Sequence, residues 1–406
     1  MRQVFKLKRR CPICGEKYGS NIYHISMKVP DNLPITANYD VVCCSNCGFI
    51  FADIDDTQEN YNKYYSEYNV YSLISKLKEN SYEKLSKQRV DFLERHIKKN
   101  ESIVDIGCGG GNLLIGLKKK GYSNLYGLDP SLESIKYLKK YEIGGRIGNI
   151  FDEVPEELMG KFDVVCCTAV LEHIYDLNSA IKKVSSYMKP ENGKLYIDVP
   201  AIEGFEKYKE SLPNYFNQEH INYFSVQSID NLMGNNGLKR VSDKSDSYYL
   251  FETENIIPEL IIRVIYEFSE GEKNKYEIVK DIESVESVKR YFEYATVENE
   301  KRKKTIKWVI SQKKKVIIWG TGAFTQWILQ NDPEIMDVVI CFIDNNIEKR
   351  GKKLCGRTIF SSEYLSHGSA LEDEEPLVLI CSMQNGKEIA KQIEEININQ
   401  KYLILK

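Results

Sequence analysis

Short apolar runs recur along this chain, most of them ending in glycine or an acid and followed by residues spaced as on one face of a helix. Ser102-Ile103-Val104-Asp105-Ile106 is the clearest such run; Gly107-Cys108-Gly109-Gly110-Gly111 follows, and Asn112-Leu113-Leu114 opens a helix. Asn124–Asp129, Arg146–Ile150 and Phe162–Thr168 read as further strands or strand ends, and residues 80–99 read as an amphipathic helix leading in. Strand and helix patterns alternating from 100 to about 250 predict a doubly wound α/β sheet. Residues 258–315 carry many Lys and Glu and no strand signal, which predicts long bridging helices. Lys313–Trp319 then restarts the theme with Gly320-Thr321-Gly322-Ala323, and Val338–Ile343 is a second strand ending at Asp344. The expected units are 1–75, 76–255, a helical linker at 256–312 and a Rossmann-like unit at 313–406.

Two stretches in the first unit stand apart from this alternation. Cys11-Pro12-Ile13-Cys14-Gly15 and Cys44-Ser45-Asn46-Cys47-Gly48 are C-x-x-C-G knuckles, each a tight turn in which two thiolates can face one ion. A four-sulfur structural zinc on Cys11, Cys14, Cys44 and Cys47 accounts for them best. Cys43 could replace Cys44, but Cys44 keeps the spacing; a redox pair and a site that has lost its metal are the alternatives. Tyr61, Tyr64, Tyr65 and Tyr68 follow helical spacing, with Tyr71 beyond. Such a stripe is either packing surface or, in part, a set of hydroxyls roofing an active site.

Composition narrows the classes. The 406 residues carry a net charge of −3, and no basic stripe is visible, which argues against nucleic acid and anionic membrane as partners. No apolar run approaches about 18 residues, so no membrane span is expected. Eleven cysteines, several inside apparent buried strands, suit a reducing cytoplasm better than a disulfide framework.

The chemistry concentrates after residue 102. A dinucleotide fingerprint needs Gly-x-Gly-x-x-Gly, but here Gly107, Gly109 and Gly111 are followed by Asn112, and an acid, Asp105, sits within the strand. With the acid of Asp129, a third strand end at Asn149-Ile150, and a fourth strand followed by Leu171-Glu172-His173, the segment resembles class I S-adenosylmethionine (SAM) methyltransferases. The resemblance implies a cofactor site made of Asp105, Gly107, Cys108, Gly109, Gly111, Asp129, Pro130, Asn149, Ile150 and Thr168. Asp129 would hold the ribose hydroxyls, since a carboxylate accepts two hydrogen bonds at once. In the last unit Thr325 stands where the third glycine would be, so a scaffold or substrate-clamping domain is favoured there over an independent nucleotide site.

The order of cysteine pairs, tyrosine-rich segment, SAM domain and degenerate Rossmann domain resembles the zinc-containing sugar C-methyltransferases of deoxysugar pathways. That resemblance implies a nucleotide-linked 4-keto-deoxysugar as small-molecule substrate, methylated at C3. Glu219 and His220, followed by Tyr223-Phe224-Ser225, match that family's Glu-His pair, and His173 matches a family histidine after the fourth strand. His220 would be the base, Glu219 its orienting partner, and His173 or a tyrosine the donor to an enolate oxygen. A family tyrosine two residues before the glutamate is Asn217 here; Tyr215 or Tyr223 could compensate. O-methylation of a sugar or another small hydroxyl compound, and a non-catalytic zinc- and SAM-binding scaffold, are the alternative functions.

Overall fold

The computed structural model describes residues 3–29, 33–67, 79–207, 216–253, 256–269, 276–367, 375–383 and 385–405. Tyr68, Tyr71 and Tyr215 lie outside the described residues.

The N-terminal strands β1 (Phe5–Lys6), β2 (Tyr18–Ser26), β3 (Asn38–Cys44) and β4 (Ile50–Asp53) form an antiparallel meander, followed by helix α1 (Gln58–Glu67). Helix α2 (Glu79–Glu94) leads into the middle unit: β5 (Ile103–Ile106), α3 (Asn112–Lys119), β6 (Leu125–Asp129), α4 (Leu132–Lys139), β7 (Gly144–Ile147), β8 (Val164–Thr168), α5 (Leu177–Ser185) and β9 (Lys194–Pro200). The chain continues through β10 (Asn222–Tyr223), α6 (Val226–Asn235), β11 (Leu238–Arg240), β12 (Tyr248–Thr253) and β13 (Ile256–Phe268). The middle sheet runs β11-β13-β9-β8-β5-β6-β7, parallel from β9 to β7 and antiparallel at β13 and β11, with β12 also on β13. The chain leaves β5 for β6 on one side and later fills the other side with β8. The carboxyl ends of β5 and β8 therefore flank the crevice where such sheets take ligands. Strands β5 and β8 are buried along their whole length, as a parallel sheet covered on both faces requires.

Two expectations about unit boundaries need correction. The stretch from 256 was expected to be helical linker, but Ile256–Phe268 is a long strand wedged between β9 and β11. Its charges Glu259, Arg263 and Glu267 fall four residues apart, which imitates a helix face. The β-branched residues around them are the better guide, since Ile261, Ile262, Val264 and Ile265 are all buried. Arg263 is tolerated inside because its Nε donates to Asp198 Oδ2 at 2.8 Å. Nor is the N-terminal unit closed at residue 75. Strand β10, which begins two residues after His220, pairs with β4 and completes its sheet (Asn222↔Phe51, Tyr223↔Ile50).

The expected long helix is α7 (Ile282–Ser311), capped by Asp281, whose carboxylate accepts from Ser284 N at 3.0 Å. It buries Val288, Tyr291 and Ile306 and stacks Phe292 on Tyr23 of β2 at 4.3 Å, so it is shared core and not a spacer. The C-terminal unit contains β14 (Val316–Trp319), α8 (Ala323–Asn331), β15 (Val339–Ile343), β16 (Lys353–Leu354), β17 (Arg357–Phe360), α9 (Tyr364–His367), β18 (Leu377–Ile380), α10 (Gly386–Ile396) and β19 (Tyr402–Ile404). Its sheet order is β16-β17-β15-β14-β18-β19, parallel except at β16. Among the described residues, no helix is long and apolar enough to cross a membrane.

Candidate active site

The turn after β5 is open on the side facing the crevice. Gly107, Gly109 and Gly111 all have positive φ, at 75°, 50° and 72°. A Cβ on Gly107 would come within 2.7 Å of Val170, and one on Gly111 within 2.3 Å of Leu138, whereas one on Gly109 would meet no atom of the described residues within 4 Å. Backbone can thus approach a ligand at Gly109. Asp129, at the end of β6, accepts Gly109 N on Oδ2 and Ser131 N on Oδ1, both at 2.8 Å, with the Ser134 side chain also bonding to its carboxylate. Asp105 is 1% exposed and, among the described residues, its Oδ1 has no partner. Burial pushes its carboxyl up to about 8, against the pull of Arg89. A buried acid without a partner beside an open glycine turn is the kind of cradle a cationic cofactor would complete.

The other cofactor candidates contribute unequally. The Cys108 side chain is buried in the core between β6 and α3, so only its backbone faces the turn. Pro130 is exposed at the end of β6. Asn149 and Ile150 lie in the loop after β7, with the Asn149 amide on Asp152 at 2.7 Å. Thr168 ends β8, and Ala169 beyond it has φ 53°, a left-handed conformation unusual for alanine, held by Ala169 N donating to Asp198 O at 2.8 Å.

The histidines meet where three elements converge. His173 follows β8, His220 precedes β10, and their rings lie edge to face 4.8 Å apart. His173 Nδ1 is 3.1 Å from the Glu219 carbonyl and 2.9 Å from the Tyr65 hydroxyl. A carbonyl can only accept, so Nδ1 carries the proton and Nε2 presents its lone pair, 3.8 Å from Glu172 Oε1. Burial and the neighbouring His220 hold His173 well below the usual histidine range, and burial pushes His220 down to about 4. Both imidazoles are therefore neutral at pH 7, and the same burial makes each a weaker base than a free imidazole. Glu172 is also buried, its carboxyl pushed up to about 8 by desolvation.

Helix α1 supplies both expected roles of its tyrosines. Tyr61 and Tyr64 are buried packing residues, yet the Tyr64 hydroxyl donates to Glu219 Oε1 at 2.5 Å and that of Tyr61 to Gln218 O at 3.3 Å. Asn217 has a different role from the tyrosine it replaces: its Oδ1 accepts Glu219 N at 2.8 Å and His220 N at 3.0 Å, a side-chain turn that sets the Glu-His pair. Tyr223 is committed to Tyr39, with hydroxyls 3.3 Å apart.

The four knuckle sulfurs converge. Cys11 Sγ is 3.5 Å from Cys47 Sγ and Cys14 Sγ is 3.5 Å from Cys44 Sγ, and all four lie within 4.8 Å of one another. Cys43 is not in that group; its sulfur faces the carbonyls of Cys44 and Gly48. Four thiols at this spacing fit a tetrahedral ion.

Two features escaped the sequence reading. Asp198, buried in β9 beside Thr168, is clasped by Arg89 at 2.6 Å and Arg263 at 2.8 Å, which together outweigh burial and keep it ionised. An acid inside the apolar run Leu195–Val199 was the available signal. The other is Arg9, whose contacts span more than two hundred residues and leave no local trace.

Residues 77–243 match the methyltransferase-domain family and residues 312–404 match the family described as C2185-like, N-terminal. The middle unit is thus a methyltransferase domain with a Rossmann-like α/β sheet. The ubiquinone biosynthesis O-methyltransferase of Chromobacterium violaceum is 28% identical over 141 residues, 31% of this chain and 60% of that protein. Its namesake from Colwellia psychrerythraea is 33% identical over 119 residues, 25% of this chain and 48% of that protein. The chain spans about half the length of the curated relatives it matches. The crystal structure of Burkholderia thailandensis 1,6-didemethyltoxoflavin-N1-methyltransferase, with its substrate and S-adenosylhomocysteine, aligns at 12% identity and TM-score 0.42, covering 56% of this chain and 98% of that one.

Proposed function

We propose that the protein transfers a methyl group from SAM to a small molecule, with His220 as base. The observation that carries this reading is the edge-to-face pair of His173, on the segment after β8 whose Val170 lies against Gly107, and His220, just before β10. Asp105 and Asp129 would hold the cofactor, which supplies an electrophilic methyl when bound. His220 then takes the substrate proton, Glu219 fixes its surroundings through Tyr64, and the Tyr65 hydroxyl, held at His173 Nδ1, would donate to the oxygen on which charge develops.

The substrate class we infer is a nucleotide-linked keto-deoxysugar methylated at carbon, since the Glu219-His220 pair, His173 and the roofing tyrosines stand together in this site. Methylation of a hydroxyl is the second reading, favoured by the names of the matching curated proteins. Deuterium separates the two. With a nucleotide-linked 4-keto-6-deoxyhexose and S-adenosylhomocysteine in deuterated water, a C-methyltransferase exchanges the proton beside the ketone, and His220→Asn loses that exchange together with methylation. Methylation without exchange would establish the hydroxyl chemistry. Full activity in His220→Asn would remove it as the base.

We also infer a structural zinc on Cys11, Cys14, Cys44 and Cys47, with no open position for catalysis. Elemental analysis should find about one zinc per chain. Cys44→Ala should lose it and Cys43→Ala keep it.

A further inference from the structure

We propose that Arg9 is a positioning residue, the contact through which the N-terminal module sets the geometry of both histidines. The inference rests on the reading of His173 and His220 as the reacting pair. Arg9 lies two residues before the first knuckle cysteine and is 2% exposed. Its backbone is fixed by Arg9 N donating to Asp53 Oδ1 at the end of β4, 2.9 Å away. Its guanidinium crosses into the methyltransferase domain, where Nη2 donates to Ile174 O at 3.2 Å and to Tyr175 O, and Nη1 reaches Ile221 O at 3.4 Å. Those carbonyls belong to the residues one and two after His173 and one after His220. One planar fork therefore ties together the two segments that carry the histidines.

The surroundings reinforce the clamp. Ile221 N donates to Glu172 O at 2.8 Å, and the Asn222 amide donates to Leu171 O at 2.8 Å and Ile174 O at 2.7 Å. The guanidinium lies over the Tyr175 ring at 4.4 Å, and among the described residues its Nε has no partner. Its three hydrogen bonds go to neutral carbonyls, which leaves two of its five N–H groups over. A buried cation held this way is costly, and an apolar residue of similar volume would pack at least as well. What the arginine offers and an apolar chain does not is charge-assisted, directional bonding to three carbonyls on two different segments.

The test uses the full-length chain, zinc-loaded, as Arg9→Met and Arg9→Lys. The five histidine rings are followed by NMR across pH and assigned with His173→Asn and His220→Asn. The expected result is that both Arg9 variants keep wild-type zinc content and SAM affinity within about twofold, while His173 and His220 titrate closer to the ordinary value of about 6.5. On an active substrate kcat should fall by roughly 10- to 100-fold, with KM nearly unchanged, as expected of misplaced reacting groups. Lysine, with one ammonium in place of the fork, should restore little of this. Wild-type titration of both histidines in either folded variant overturns the proposal. So does failure of both variants to fold and bind SAM, because Arg9 would then hold the fold as a whole. The titration reads positioning whatever the substrate is, so displaced histidines without any sugar methylation would reject the substrate assignment and leave Arg9 in its role.

Discussion

The chain builds a strand, a glycine turn and a helix twice, and the acids of the two copies are bonded differently. In the middle unit, among the described residues, a buried Asp105 oxygen has no partner, and Asp129 accepts one backbone N–H on each oxygen. In the C-terminal unit, Asp344 stands where Asp129 does, at the end of the second strand, but its oxygens are taken. Thr321 N at 3.0 Å, the Thr321 hydroxyl and Lys349 Nζ at 3.1 Å reach Oδ2, and Asn346 N reaches Oδ1 at 2.8 Å. Thr325, in place of a third glycine, donates to Gly320 O at 2.7 Å. Lys349 and Thr321 outweigh burial and hold the Asp344 carboxyl below its usual range, while burial leaves Asp129 above it. From this contrast we propose that the C-terminal turn is a scaffold element.

The largest effect should come from exchanging the fates of the two acids. Asp129→Ala is expected to weaken SAM binding by roughly 1–3 kcal/mol, the scale for stranded hydrogen-bond partners. Asp344→Ala should leave SAM binding unchanged and instead cost stability of about 1–2 kcal/mol by unpairing Thr321 and Lys349. Isothermal titration and thermal melts of both variants check the pair. A loss of SAM affinity in Asp344→Ala would break the comparison.

Asp105 gives the comparison a pH signature. In the ligand-free protein its carboxyl holds a proton up to about pH 8, whereas in the unfolded chain it releases it near 3.8. Across that window the folded state binds more protons, so this group's contribution to stability declines as pH rises. A cationic cofactor favours the carboxylate, so SAM affinity should climb toward pH 8 and then level off. Asp105→Asn should flatten both slopes, which melts and titrations at pH 6 and pH 9 would show. An unaltered pH dependence of SAM binding would place the cofactor's charge elsewhere.

What could be read in advance follows the range of the interactions. Val104–Asn112 was legible because a strand, positive-φ glycines and a helix start are dictated within a few residues, and both knuckles were legible for the same reason. Strand β13 was not, because its charges imitate a helix and Arg263 is acceptable only beside Asp198, a pairing made across the sheet. Asn217 illustrates a subtler limit. Aligned against a tyrosine it looks like a loss, yet its side chain holds the Glu219 and His220 amides, a role only the folded turn reveals. The closure of the N-terminal sheet by β10 and the reach of Arg9 are both long-range, and no local pattern encodes them.

The smallest effect is the sharpest discriminator between the two turns. Gly109 has φ 50°, so Gly109→Ala should cost about 1–2 kcal/mol from left-handed backbone alone, despite the free space around it. The added methyl would also stand where the cofactor approaches, so SAM affinity should fall as well. Gly322 looks like its counterpart in the motif but is not one in conformation. Its φ of −81° and ψ of −170° are ordinary extended backbone, and a Cβ there would meet nothing within 4 Å. Gly322→Ala should therefore change stability by no more than about 0.5 kcal/mol and leave SAM binding untouched. The same variant examines the scaffold reading directly. If the wild-type protein binds NAD or another nucleotide at millimolar concentration and Gly322→Ala abolishes it, backbone at residue 322 must approach a phosphate, and the C-terminal turn is a second working site. Equal behaviour of the two proteins toward nucleotides leaves the open turn after Asp105 as the one that takes the cofactor.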